Sequence, residues 1–253
     1  MLIEKLFETK APKAFQHLEM GMLPVKYVIM GKRLKFLKYI LDESIGTIIR
    51  QVYEAQKSDS QKGDFVQQSK EDLIELDLKL SENEIMALTK IKWNIIVNDQ
   101  LKKVAFEKLV QENDTKKKTK HIKYKCLKMQ NYLTENRKTK LSKTIFKIRS
   151  GTFGIKAWEI WKHDDNLCIM CEIKEESFEH FINCESYGEK TKDWESIFGS
   201  DVDKQVKIAT EAERRFEIRE AKIQEVGQGS LPAPDTPNSL FVCRVLMGLN
   251  MMT

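Results

Sequence analysis

The sequence predicts a mainly α fold: a helical N-terminal domain, a basic linker, a small zinc-stabilised C-terminal domain and a disordered tail. Three observations lead there. Only five prolines and eleven glycines interrupt 253 residues, so long helices are permitted and strand-rich folds with frequent tight turns are not favoured. Apolar residues recur at steps of three and four over the first hundred residues. Three of the five cysteines and one of the four histidines fall between positions 168 and 184.

The helical domain is assigned to residues 1–113. From about 24 to about 56, the stripe Tyr27, Met30, Leu34, Leu37, Leu41, Ile45, Ile48 and Val52 marks one amphipathic helix, with Gly46 as the place for a bend or break. Lys26, Arg33, Lys35 and Lys38 lie off the stripe and read as a solvated basic surface. After a polar loop at 57–63, Gly63-Asp64 supplies turn chemistry. Ser69 then reads as the cap of a helix carrying Leu73, Ile74, Leu76 and Leu78. Ser81 with Glu84 forms a capping box before Ile85, Leu88, Ile91 and Ile95, and that helix is expected to reach Val110, with Asn98-Asp99 as its weak point.

A lysine run without apolar period then marks a basic linker at 114–123. Charge is concentrated here. Between Thr115 and Ser150 stand Lys116, Lys117, Lys118, Lys120, Lys123, Lys125, Lys128, Arg137, Lys138, Lys140, Lys143, Lys147 and Arg149, opposed by Glu135 alone. This local +12 sits in a chain of net charge +5, so the remainder is −7. Such a block repels itself unless a polyanion neutralises it, and all thirteen residues are therefore candidates for binding RNA or DNA.

The zinc-knuckle domain is assigned to 124–199. Its ligands are spaced Cys168-x2-Cys171-x8-His180-x3-Cys184. A two-residue gap lets both cysteines of a turn face one ion, and residues four apart on a helix share a face. Four protein donors leave no position for a substrate water, so the expected zinc is structural. Eight acids against three lysines between Cys168 and Gly199 make the module itself a poor surface for phosphate. Cys126 and Cys243 read as ordinary reduced thiols.

Other chemistry is weakly supported. His163-Asp164-Asp165 reads as a solvated polar cluster, and Trp158 and Trp161 as core of the small domain before base-stacking platforms. A glycine-rich phosphate loop and a nucleophile elbow are both absent, so no catalytic residue is expected and the chain reads as a non-enzyme. A highly charged helix is assigned to 200–226. Val206, Ala209, Phe216 and Ile223 are its sparse apolar positions, which suggests a solvated helix or a protein partner through 203–226. Residues 227–253 are proline-rich and polar at first and read as a disordered tail. No stretch approaches the ~20 apolar residues of a membrane span, and no secretory signal is visible, so a nuclear or cytoplasmic location is expected.

Several of these pieces, taken in order, resemble the region downstream of the polymerase in LINE-type (non-long-terminal-repeat) retrotransposon reverse transcriptases. They are Leu23-Pro24-Val25, the stretch from Gly31 to Leu37, Gly63-Asp64-Phe65, and Phe146-Lys147-Ile148-Arg149-Ser150 about twenty residues before the Cys-x2-Cys pair. The resemblance covers approximately Leu23 to Cys184 and implies a thumb-like helical region followed by a knuckle that engages template RNA or target DNA. The Tyr-x-Asp-Asp motif of such polymerases is missing, so the resemblance does not imply polymerization. The chain looks like a detached tail, a gene-model fragment or a remnant with another role. A zinc-stabilised protein-interaction scaffold, or a fragment of a full reverse transcriptase, is the alternative reading.

Overall fold

The computed structural model describes residues 10–44, 46–59, 61, 63–135, 139–156, 165–191 and 193–229. The described residues form ten α-helices and two 3-10 turns but no β-strand, only the isolated bridges Met20 to Met129 and Leu167 to Glu175. None of the described helices is long and apolar enough to cross a membrane.

Two long helices organise the first half, α2 (Val25–Asp42) and α6 (Lys90–Asp114). They pack against each other through Met30, Leu34 and Leu37 on one and Trp93, Val97 and Leu101 on the other, all buried. The Trp93 indole donates to the Leu34 carbonyl at 2.9 Å, so the largest side chain of this core leaves no unsatisfied N–H. Between these helices come α3 (Ile48–Ser58), α4 (Phe65–Glu75) and the single-turned α5 (Glu82–Ala87). The Ser81–Glu84 capping box forms as expected.

The break expected at Gly46 occurs, but four details differ from the periodic reading. The first helix stops at Asp42, and Thr47 caps a new one, its hydroxyl accepting from the Arg50 N–H. The break resets the register, so Ile48 and Val52 are exposed while Arg50 and Tyr53 turn inward. The next cap is Asp64 and not Ser69, which lies buried inside α4. The break after the capping box comes at Thr89, whose side chain caps α6, and Asn98-Asp99 pass within an unbroken helix. Lys38, read as solvated, is 3% exposed; its ammonium pairs with Asp42 and donates to the Met86 carbonyl.

The short α1 (Lys13–Met20) lies between two cores. Ala14 and Leu18 meet Leu109 of α6, while Ala11 and Phe15 enter the core of the second half, where Phe15 packs edge-on to Phe146 with centroids 5.2 Å apart. It ends at Gly21, whose φ of +62° closes the helix in the left-handed conformation and brings its N–H to the His17 and Leu18 carbonyls. A Cβ here would stand 2.2 Å from the Met129 amide nitrogen. Gly21→Ala is therefore expected to destabilise the protein by more than the roughly 1–2 kcal/mol of left-handed strain alone, measurable by urea unfolding.

The lysine run after α6 is a compact turn. Asn113 and Thr119 exchange two hydrogen bonds, with the Asn113 amide donating to the Thr119 carbonyl at 3.0 Å and the Thr119 hydroxyl donating back to the Asn113 side chain at 2.7 Å. Thr119 and Ile122 are buried there, although the run has no apolar period. The second half is built from α7 (Asn131–Thr134), α8 (Thr139–Arg149), α9 (Phe178–Asn183) and the long α10 (Val202–Gly229), with 3-10 turns at Glu185–Tyr187 and Trp194–Phe198. Phe146, Phe153, Phe178, Phe181 and Tyr187 form its aromatic centre. Trp158, Trp161, His163, Asp164 and the tail from 230 onward, including Cys243, lie outside the described residues.

The charged helix α10 packs against this core. Ile208, Ala209 and Ala212 begin an inward stripe, and the next two turns continue it with Arg215 and Arg219, both buried. Counting only apolar residues hides this stripe, because arginine buries its stem and satisfies its guanidinium on backbone carbonyls, as Arg215 does, or on a buried carboxylate, as Arg219 does.

Candidate metal centre and basic face

Cys168 and Cys171 lie on a tight loop closed by the Leu167–Glu175 bridge. The Cys168 N–H donates to the Lys174 carbonyl at 2.8 Å, the Glu172 N–H donates back to the Cys168 carbonyl at 2.7 Å, and Glu172 adopts φ +57° to complete the turn. A short helix follows. Ser177 caps α9 by accepting from the His180 N–H at 3.1 Å, which holds His180 in the first turn facing the loop. Cys184 is the residue at which the helix ends.

The four expected ligands thus come together: their donor atoms all lie within 4.8 Å of one another. The Cys168 and Cys184 sulfurs are 4.0 Å apart, and the Cys171 sulfur is 3.3 Å from His180 Nε2. Donors arranged tetrahedrally at about 2.0–2.3 Å from an ion would stand about 3.3–3.8 Å apart. The cluster therefore fits one metal ion with little movement. Burial of Cys168 pushes its thiol up to about 12, with the neighbouring Cys184 and Cys171 sulfurs adding to the rise. Burial also opposes the Cys171 thiolate, but the Ile173 and Lys174 backbone amides and His180 outweigh it and hold that group at about 6. One sulfur is preset as an anion and another awaits a cation.

Helix α10 braces the loop through polar contacts that the spacing of apolar residues does not reveal. Arg215 donates to the Cys184 carbonyl at 2.9 Å and to the Phe181 carbonyl at 3.2 Å, and its other nitrogen reaches the Glu189 carbonyl. Arg219 forms a two-pronged pair with the fully buried Glu176, both contacts at 3.0 Å. Lys222 donates to the Met170 carbonyl between the first two cysteines at 3.3 Å. The four-residue steps Glu211, Arg215 and Arg219 were the available signal for this face.

The thirteen basic candidates do not share one environment. Arg149 is buried: it pairs with Glu19 at 2.8 Å and donates to the Ile197 and Gly199 carbonyls. It is held within the protein and does not face solvent. Lys118 lies along Gly151 and donates to its carbonyl at 3.1 Å. Lys140 reaches Glu213 and Glu217 of α10. Lys143 and Lys147 are half-buried on α8, and Arg137 and Lys138 lie outside the described residues. Lys117 and Lys120 are exposed on the turn after α6, and Lys116 is half-buried there. Lys123, Lys125 and Lys128 converge on the rim of one cleft of about 460 Å³, whose floor includes Arg149 and Tyr132. No carboxylate is among the described residues lining it. Cys126 is exposed at the same cleft.

Comparison of the chain with protein-family profiles, with curated proteins and with solved structures finds no match.

Proposed function

We propose that this chain is a nucleic-acid-binding module whose contact with RNA or DNA is largely electrostatic and whose fold is completed by a structural zinc ion. The observation that carries the reading is the convergence of Lys123, Lys125 and Lys128 on an acid-free cleft. Their positive charge has few internal partners: Lys123 stands 3.6 Å from Asp114, and Lys125 and Lys128 form no ion pair among the described residues. Zinc is favoured because three thiolates and an imidazole at tetrahedral spacing suit it above harder cations. The resemblance to the post-polymerase region of LINE-type reverse transcriptases supports the same class of partner, and the module acts by binding without a catalytic centre of its own.

The test is affinity as a function of salt. Replacing Lys123, Lys125 and Lys128 together by alanine is expected to weaken binding of a labelled oligonucleotide and to reduce the slope of log affinity against log salt by about 2–3, since each neutralised phosphate contributes about 0.7–0.9. An unchanged slope would remove the cleft from the interface.

A second reading, a protein-interaction scaffold, is favoured by one feature: Ile48, Ile74, Ile91 and Ile95 of the first half are all more than half exposed. A partner reaching α10 would meet only its outer charged side, because the inner side is used within the chain. Retrieval of a stoichiometric protein partner by a chain that binds no oligonucleotide would favour this reading.

A further inference from the structure

We infer that the cleft ringed by Lys123, Lys125 and Lys128 receives an unpaired nucleobase, so that the chain selects single-stranded over duplex nucleic acid. The inference rests on the proposed nucleic-acid binding and names the form of nucleic acid bound.

Charge is distributed differently at the rim and at the floor. The rim carries the lysines. At the floor, the Arg149 guanidinium is neutralised by Glu19, and its remaining donors are committed to the Ile197 and Gly199 carbonyls. Gln205 fills the other contacts of those two carbonyls, donating at 3.2 and 2.7 Å. Glu19 itself accepts from the Tyr124 and Tyr132 hydroxyls. With the Arg149 charge matched by Glu19 and four of its five N–H groups engaged, the floor offers a phosphate little, and an anion gains more by staying at the rim.

What the interior offers is flat, uncharged surface. Tyr124 lines it with its hydroxyl turned to Glu19, above the buried Tyr132, and Phe198 lines it packed against His121, the two rings edge to face at 4.4 Å. Partial burial, and then the Arg149 charge, hold His121 below the ordinary histidine range. The Gln130 and Asn131 amides at the mouth supply donors and acceptors suited to a base edge. The volume of about 460 Å³ lies in the range of small-molecule pockets, about 300–1,000 Å³, and has room for a nucleobase. A duplex keeps its base faces within its own stack, so an unpaired base enters and stacks on a protein ring without the unpairing cost that a duplex must meet.

Fluorescence anisotropy with the full chain decides the matter, using a short labelled single strand, the same strand annealed to its complement, and the same strand carrying abasic sites. The intact single strand is expected to bind about tenfold tighter than either of the others, the gain expected from one or two stacked bases. Ser200→Trp, which places a ring in the cleft from its exposed mouth, is expected to bring single-strand affinity down to the duplex level while thermal unfolding shows the fold retained. Equal affinity for intact and abasic strands, or a preference that survives in Ser200→Trp, would overturn the inference. The abasic comparison needs no variant and so does not depend on how a substitution folds. A chain that binds all three alike fails this inference alone, whereas one that binds none of them at low salt fails the proposed function as well.

Discussion

Cys168→Ser is expected to yield a protein that lacks bound metal and unfolds with at least about 4 kcal/mol less stability, the loss typical of removing a structural ion. The size of the effect follows from position. Cys168 is fully buried among the residues of the second core, and its sulfur is 4.0 Å from Cys184. Without a cation these sulfurs leave a polar knot inside an aromatic cluster. Elemental analysis of the purified wild type should find about one zinc per chain, and a chelator should lower its unfolding midpoint as the serine does. Wild type isolated without metal, or a serine variant as stable as wild type, would refute the assignment.

Acid should act in the same direction. A metal displaces the Cys168 proton at any pH below about 12, whereas Cys171 holds a proton only below about 6. More protons are therefore displaced per ion as the pH falls through 6, and metal affinity should decline more steeply below that point than above it. Competition with a colorimetric chelator across this range measures the change in slope.

The second large effect is expected at the junction between the two cores. Arg149→Met should cost about 3–5 kcal/mol in urea unfolding, because it strands the fully buried Glu19 without its counter-charge. The neighbours cannot compensate. Burial and the Glu19 charge already push the Tyr132 hydroxyl far above its ordinary range, so it serves only as a hydrogen-bond donor. Glu19→Leu leaves the opposite charge unmatched and should cost a similar amount, while the double variant Glu19→Leu with Arg149→Met should cost clearly less than the two single changes combined. If Arg149→Met left stability unaltered and only weakened nucleic-acid binding, the residue would belong to the contact surface after all.

The sequence made the metal cluster legible because ligand chemistry is local. Cys168, Cys171, His180 and Cys184 lie within one loop and one helical turn, and spacing alone brings them together. Helices were legible where an apolar stripe met a cap, as at Ser81 and Glu84. What spacing could not reveal was partnership over distance. Arg149 looked like one more base in a lysine-rich block, and only the arrival of Glu19, 130 residues earlier, makes it an internal ion. Lys38 reads as solvated for the same reason, since its partner carbonyl comes from Met86, 48 residues away. The cleft has no signature in the sequence because its walls come from the 121–132 segment, the end of α8 and the stretch from Phe198 to Gln205, which no sequence window spans. Helix α10 was legible as a helix but not as a brace, because its buried stripe ends in arginine.

The position of α1 has a consequence for synthesis. Its Phe15 and Glu19 leave the ribosome early, yet their partners Phe146 and Arg149 follow about 130 residues later. At typical elongation rates that interval is roughly 7–26 s, during which the aromatic ring and the carboxylate have no native contacts in the second half. The first core can assemble meanwhile from α2 to α6, holding α1 against Leu109 as a tether for what is still to come. Completion of the second core then closes a long loop, a slow step by contact order. A break in the chain near residue 114 would therefore separate the second core from its own first helix.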